Sequence, residues 1–311
     1  MLERVMVGPE RDLIGYGPTP PKVVWPSGAR IAVSVVVNYE EGSEYSLLDG
    51  DLHHETNSEV SSPVPPAERD LANESFFQYG SRAGVWRILR TLDMFEIPAT
   101  FYCCALALER NPLVGPEIVR RGHEVFGHGY RWEEYFRMGR EQEREAIRST
   151  VESLIRTTGQ RPLGWYVRYG PSVHTRELVA EEGGFEYDSC AYDDDLPYYT
   201  KVGGRDWLVV PYSLEVNDTK FWRGGMISPN DFEQTMRNTF DLLYEEGETH
   251  PKMMSIGLHC RIVGRPARMV ALRRFLEHAT GQPNVWFARR VDIARWWKEH
   301  FPPQALSGRG G

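Results

Sequence analysis

Apolar positions along the chain follow two rhythms that alternate. Residues 30–40, RIAVSVVVNYE, are a near-continuous β-branched run, the mark of a strand buried on both faces. Residues 81–95, SRAGVWRILRTLDMF, instead space Val85, Ile88, Leu89, Leu92 and Phe95 along one helical face. The strand run IPATFYCCALALE follows at 97–109. The same exchange then repeats: a helix over 114–121 leads to HEVFGHG, one over 141–157 to RPLGWYVR, and HTRELVAEEGG to FEYDSC. After DWLVVPYS, a helix over 230–246 precedes MMSIGLHC, and RMVALRRFLEHAT precedes VWFARRVDIARWW. Repeated units of this length predict parallel strands joined by crossover helices. No G-x-G-x-x-G or phosphate-binding loop follows the first strand, which favours a barrel over a nucleotide-binding open sheet. The predicted fold class is α/β, a distorted (β/α) barrel.

No repeat or Gly/Ser-rich linker divides the 311 residues, and barrels of this length form one domain. The expected organisation is a Pro/Gly-rich arm at 1–28 that wraps over the surface, one barrel domain at 29–300 and a flexible tail at 301–311. Residues 49–70 read as a polar surface loop.

Charge narrows the function. Lys plus Arg number 36 against 44 Asp plus Glu, a formal net charge of −8, and no basic stripe interleaves with aromatics, so nucleic acid is not an expected partner. No apolar run approaches the roughly 18 residues that span a bilayer, so no membrane association is expected. The first residues carry charges throughout and lack a secretory apolar core. Four irregularly spaced cysteines form no disulfide framework. A cytoplasmic protein is expected.

Reactive groups of a parallel barrel gather at the C-terminal ends of its strands. Four polar clusters stand there: Glu40 with Glu41, His128, Arg168, and His259 with Arg261. Glu40, beside a second carboxylate, is expected to have a raised pKa that suits a general base. Arg168 and Arg261 offer paired N–H donors for carbonyl oxygens, and on a strand Arg261 would share the face of His259 while Cys260 points away. Asp194, within Asp193–Asp195, is a weaker candidate for amide recognition, or a solvated turn. Trp132, Trp165 and Tyr166 are candidates to wall a pocket. His53, His54 and Glu55 imitate a metal cluster but read as a loop.

The chain resembles the polysaccharide deacetylase superfamily (NodB-homology, carbohydrate esterase family 4), and within it most nearly the cofactor-independent, PuuE-type allantoinase branch. The resemblance rests on RDLIGYG, NYEEG, YGSRAGVWR, GHGYRW, TGQRPLGWY, EEGGFEYDS, YDDDLPY, LLYEEG, SIGLHCRIVGRPARM and VWFARRVDIA, from about residue 11 to 298. It implies a distorted (β/α) barrel. Metal-dependent members carry T-F-D-D-G, a base followed by a metal ligand, and a pair of histidines four residues apart. Here Glu40 stands at the base position and Glu41 at the ligand position, while Trp132 replaces the second histidine after His128. An indole N–H only donates and cannot ligate a metal. Glu41 and His128 leave two ligands where zinc wants at least three, so no metal cofactor is expected; weak zinc at Glu41 and His128 is the alternative.

The resemblance implies hydrolysis of the ring amide of allantoin to allantoate. Glu40 would be the base, His259 the acid, and His128 the holder of water or substrate, with Glu41, Trp132, Arg168, Arg261 and Asp194 toward substrate. It also implies a homotetramer acting on a small ureide. A cyclic imidase, a metal-dependent sugar N-deacetylase and a non-catalytic binding barrel are the rival readings.

Overall fold

The computed structural model describes residues 8–303 apart from 60, 224 and 227. Residues 1–7 of the expected arm and 304–311 of the expected tail lie outside the described residues. Among the described residues nine strands form one sheet: β1 (Ile31–Tyr39), β2 (Ala99–Cys103), β3 (Glu124–Gly127), β4 (Gly164–Trp165), β5 (Tyr187–Asp188), β6 (Tyr198–Val202), β7 (Arg205–Val209), β8 (Lys252–His259) and β9 (Val285–Phe287). The described α-helices that accompany them are α1 (Leu71–Tyr79), α2 (Val85–Met94), α3 (Ala105–Arg110), α4 (Val114–Arg120), α5 (Arg140–Thr158), α6 (Thr175–Glu182), α7 (Lys220–Arg223), α8 (Pro229–Glu246), α9 (Pro266–Thr280) and α10 (Arg290–His300).

The sheet runs β6-β7-β5-β4-β3-β2-β1-β8 and curls into an incomplete barrel, the distorted (β/α) architecture expected from the strand–helix alternation. β1 is its spine. One edge lies along β8 from Ile31 to Asn38, and the other meets β9 through Ile31–Val33 and β2 through Val35–Tyr39. All these pairings are parallel, which follows from the helical crossovers. The exception is an antiparallel hairpin, β6 to β7. Gly203 and Gly204 turn it with φ of 55° and 79°, the two left-handed residues of a type I′ turn.

Strand alternation sorts the core into two layers. Odd residues of β1 (Ile31, Val33, Val35, Val37) pack outward against the helices, with Val85, Leu89, Phe240, Leu272 and Phe275. Even residues (Ala32, Val36) face the barrel interior, with Tyr102, Phe126, Tyr187 and Tyr212. The sheet does not close by a ladder from β8 to β6 among the described residues. Instead Gly257 donates to the Val216 carbonyl at 2.8 Å and accepts from the Asp218 amide at 3.0 Å, so the irregular segment after β7 seals the wall.

Two sequence expectations change. The helix expected over 81–95 begins as α2 at Val85, after a π-helical turn at Gly80–Gly84 that continues α1. A side chain at Gly80 would collide with the Glu41 carboxylate, so the wider turn and the missing Cβ make room for that group. The Pro/Gly-rich arm is also not simply superficial. Trp25 is 1% exposed, packs in tilted contact against the rings of Trp286, Trp296 and Trp297, and donates its indole N–H to the Lys252 carbonyl at 3.0 Å. We expect Trp25→Ala to cost about 3–5 kcal/mol of stability, read as a lowered midpoint in urea unfolding. An unchanged midpoint would show that the arm is dispensable.

Candidate active site

At the C-terminal ends of β1, β3 and β8 the structure gathers Glu40, His128 and His259. Asn38 and His259 are register partners across β1 and β8, and Glu40 follows Asn38 by two residues, so the alternation sends all three inward. His128 follows β3. Its Nε2 lies 3.2 Å from Glu40 Oε1, and the Nε2 of His259 lies 3.5 Å from the same oxygen. One carboxylate oxygen therefore faces two imidazoles.

The far side of each ring fixes its orientation. His128 Nδ1 donates to the Tyr166 carbonyl at 3.2 Å, and a carbonyl only accepts. His259 Nδ1 donates to Asp218 Oδ1 at 2.7 Å. The other oxygen of Asp218 takes the backbone N–H groups of His259 and Val263 at 2.8 and 3.1 Å. Burial opposes charging of His259, but Glu40 and Asp218 outweigh it and push its pKa up to about 9. At neutral pH His259 is an imidazolium aimed at Glu40.

Arg261 completes the cluster. Its Nη1 is 2.7 Å from Glu40 Oε2 and 3.6 Å from Glu41 Oε1. Its guanidinium lies against the rings of Phe77, Trp132 and Trp222 at 4.5, 4.9 and 5.4 Å. The raised pKa expected for Glu40 is corrected here: burial raises it, yet His259 and Arg261 outweigh that and hold it well below the usual carboxylate range. The upward shift falls on Glu41, through burial and the neighbouring Glu40.

A cavity of about 470 Å³ opens onto this cluster. Glu40, His128, His259, Trp132 and Arg168 line it, together with Asn38, Tyr166, Tyr212, Asn217 and Trp222. Three expected substrate contacts are not presented to it. Glu41, one residue past Glu40, falls on the helix side of the wall, where its carboxylate accepts the backbone N–H of Arg261 at 2.9 Å and of Glu40 at 3.1 Å. Arg261 lies beyond the end of β8 in a turn, so it does not share the strand face of His259, and it is 2% exposed behind Glu40. Asp194 is spent on a turn, accepting the Leu196 N–H at 2.9 Å, while its neighbour Asp195 accepts from Met253 at the opposite end of β8.

Arg168 reaches the cavity but is clamped by Glu55 at 2.6 and 2.9 Å, with Trp132 stacked at 3.9 Å. The loop expected to lie on the surface thus dips inward at Glu55, while Nδ1 of His53 and of His54 each meet a backbone carbonyl. Asp218 escaped sequence reasoning, and Glu55 entered it only as part of a loop that imitates a metal cluster. Asp218 had one weak signal, the polar NDT after the apolar run that ends in LEV; the pairing of Glu55 with Arg168 had none.

The chain shares 40% identity over 95% of its length with a Schizosaccharomyces pombe protein named as a polysaccharide deacetylase, and spans 99% of it. The chain belongs to the polysaccharide deacetylase family. The family model itself, "Polysaccharide deacetylase", matches residues 74–187. Among solved structures, one described as a polysaccharide deacetylase from Pseudomonas aeruginosa aligns with a TM-score of 0.90 at 49% identity, over 94% of this chain and 99% of that one. A solved Puue allantoinase aligns with a TM-score of 0.90 at 50% identity, over 95% and 99%.

The family implies a divalent metal, and the donor set here does not fit one at the expected place. Glu41 faces away from the cavity with both oxygens engaged. Trp132 supplies a ring face to two guanidinium groups and no lone pair. The Arg261 cation already lies against both carboxylates. Among the described residues no group of three or more His, Cys, Asp or Glu is disposed to hold a metal ion.

We expect Asp218→Asn to lower the His259 pKa from about 9 toward the ordinary histidine value near 6.5, followed by NMR titration of the ring against a His259→Gln spectrum. An unmoved titration would show that Asp218 only holds the backbone of the 259–263 turn.

Proposed function

We propose that this protein hydrolyses the ring amide of allantoin to allantoate, with its own side chains and no metal supplying the chemistry. The observation that carries the reading is the Glu40 oxygen set between the Nε2 atoms of His128 and His259 in a cavity of about 470 Å³. That volume suits a compact heterocycle. The 50% identity to a solved allantoinase supports the choice of ureide.

Each group has a task. A water seated beside Glu40 Oε1 donates a hydrogen bond to that oxygen, with the His128 ring 3.2 Å from the same atom bounding its seat, and turns a lone pair toward the ring carbonyl. Its oxygen bonds to the carbonyl carbon while one proton passes to Glu40. The C–N bond then breaks, and the leaving nitrogen takes the Nε2 proton of His259. The 3.5 Å contact between His259 Nε2 and Glu40 Oε1 returns the proton from Glu40 to His259 and resets the pair. Arg261 keeps Glu40 ionised until the proton of water reaches it, which holds the base ready at the expense of basicity.

A second reading, N-deacetylation of a sugar, is favoured by the names of the yeast and Pseudomonas relatives. The same base and acid would cleave an acetamide. Release of allantoate from allantoin, with N-acetylglucosamine oligomers left intact, decides for the ureide; the reverse outcome sinks it.

Glu40→Gln is expected to lower kcat about 10²–10⁴-fold while the thermal melt stays cooperative. An active Glu40→Gln enzyme would remove Glu40 from the role of base. The pH profile follows from the signs. Glu40 is ionised down to well below its ordinary value, so kcat/KM should hold level through mildly acidic pH. It should fall as pH rises through about 9, where His259 loses its proton. A profile that rises through that range would mean His259 acts as a base.

A further inference from the structure

One cavity residue has an unspent proton. Tyr212 lies on the irregular segment after β7, is buried, and lines the cavity floor. Its hydroxyl oxygen accepts from Asn217 Nδ2 at 3.1 Å and from Asn38 Nδ2 at 3.4 Å. The orientation of both amides is fixed by other partners. Asn38 Nδ2 also donates to the Leu258 carbonyl at 3.1 Å, which only a donor can do. The oxygen of Asn217 accepts the backbone N–H and the hydroxyl of Thr219 at 3.0 and 2.8 Å, so its nitrogen is what faces Tyr212.

A phenol oxygen offers one donor and a small set of lone pairs. With two amide donors on those lone pairs, the Tyr212 O–H has to donate elsewhere. Among the described residues the hydroxyl has no acceptor of its own. Burial first of all pushes its pKa up, so it stays protonated. Gly257 leaves the space this requires: a Cβ there would collide with the Tyr212 hydroxyl and the Asn217 amide. Asn38 is the register partner of His259 and stands two residues before Glu40, so the hydroxyl is tied through Asn38 to the strand that carries the proposed base and lines the same cavity as base and acid.

We propose that Tyr212 donates its O–H to the oxygen of the scissile carbonyl and stabilises that oxygen as it becomes an oxyanion. This deepens the hydrolase reading above and rests on it. A fixed donor beside developing charge in a dry site is the largest single contribution such a site offers. Here two asparagines pre-set the donor, so little reorganisation accompanies the reaction. No proton leaves Tyr212: as water adds, the carbonyl π pair moves onto oxygen, and it returns when the C–N bond breaks.

The test is steady-state kinetics of Tyr212→Phe on allantoin, with thermal melts beside it. Loss of one oxyanion donor should lower kcat about 10²–10³-fold with KM little changed. A lowered melting temperature with kcat intact would reduce Tyr212 to a structural post and overturn the proposal, as would a rise in KM alone. If the Phe variant does not fold, fluorinated tyrosines placed at position 212 keep both the acceptor and the donor. kcat should then track phenol acidity, and kcat independent of acidity overturns the proposal.

The ureide assignment fails separately. Wild type inert on allantoin but active on a cyclic imide or an N-acetylglucosamine oligomer removes allantoin, and the same kcat comparison on that substrate judges Tyr212. Wild type inert on all three overturns the donor role together with the hydrolase reading.

Discussion

Two adjacent glutamates buried at the end of one strand are the constraint around which this site is built. Adjacent residues point to opposite faces of a strand, so Glu40 enters the cavity and Glu41 enters the layer between sheet and helices. Both carboxylates are buried, and an isolated buried charge is costly. Arg261 answers both at once, touching Glu40 through Nη1 and Glu41 through its backbone N–H. Much of the local architecture follows from that ion. The aromatic rings of Phe77, Trp132 and Trp222 enclose it, and the π-turn at Gly80–Gly84 gives Glu41 its space. Removing Arg261 alone would strand two carboxylates, a loss of about 3–5 kcal/mol by analogy with broken buried pairs.

The same knot explains how one carboxylate and one imidazole can take opposite parts. Burial alone would neutralise both Glu40 and His259. Set together, with Arg261 behind the first and Asp218 behind the second, each keeps the other charged. The result is an ionised acceptor and a protonated donor 3.5 Å apart, a pairing suited to moving one proton off water and another onto a leaving nitrogen. The positive charge beside Glu40 is a guanidinium that is part of the wall.

Much of this was legible in the sequence because strand ends announce themselves. The β-branched run before Glu40 and the apolar run before His259 fixed two strands and the faces of their last residues. Glu40, His128 and His259 converge for that reason, and the strand–helix alternation carried the (β/α) architecture. What stayed hidden depends on contacts distant in sequence. Asp218 and Tyr212 lie on a segment without periodicity, whose place is set by sealing against Gly257 of β8. Glu55 comes from a loop that reads as polar and exposed until Arg168 is seen to draw it in. The alternation rule was available for Glu41, but its reach past the last hydrogen-bonded residue was not. The β6–β7 hairpin was legible in principle, since Gly203–Gly204 between apolar-containing flanks is a turn signal.

The central claim is that Arg261, rather than a divalent ion, supplies the positive charge beside Glu40. It is tested most directly by stripping the protein with chelator, measuring its metal content and assaying it on allantoin. The account predicts that metal-free protein releases allantoate at the untreated rate and gains nothing from added zinc. Activity that disappears with the metal and returns with zinc would contradict it.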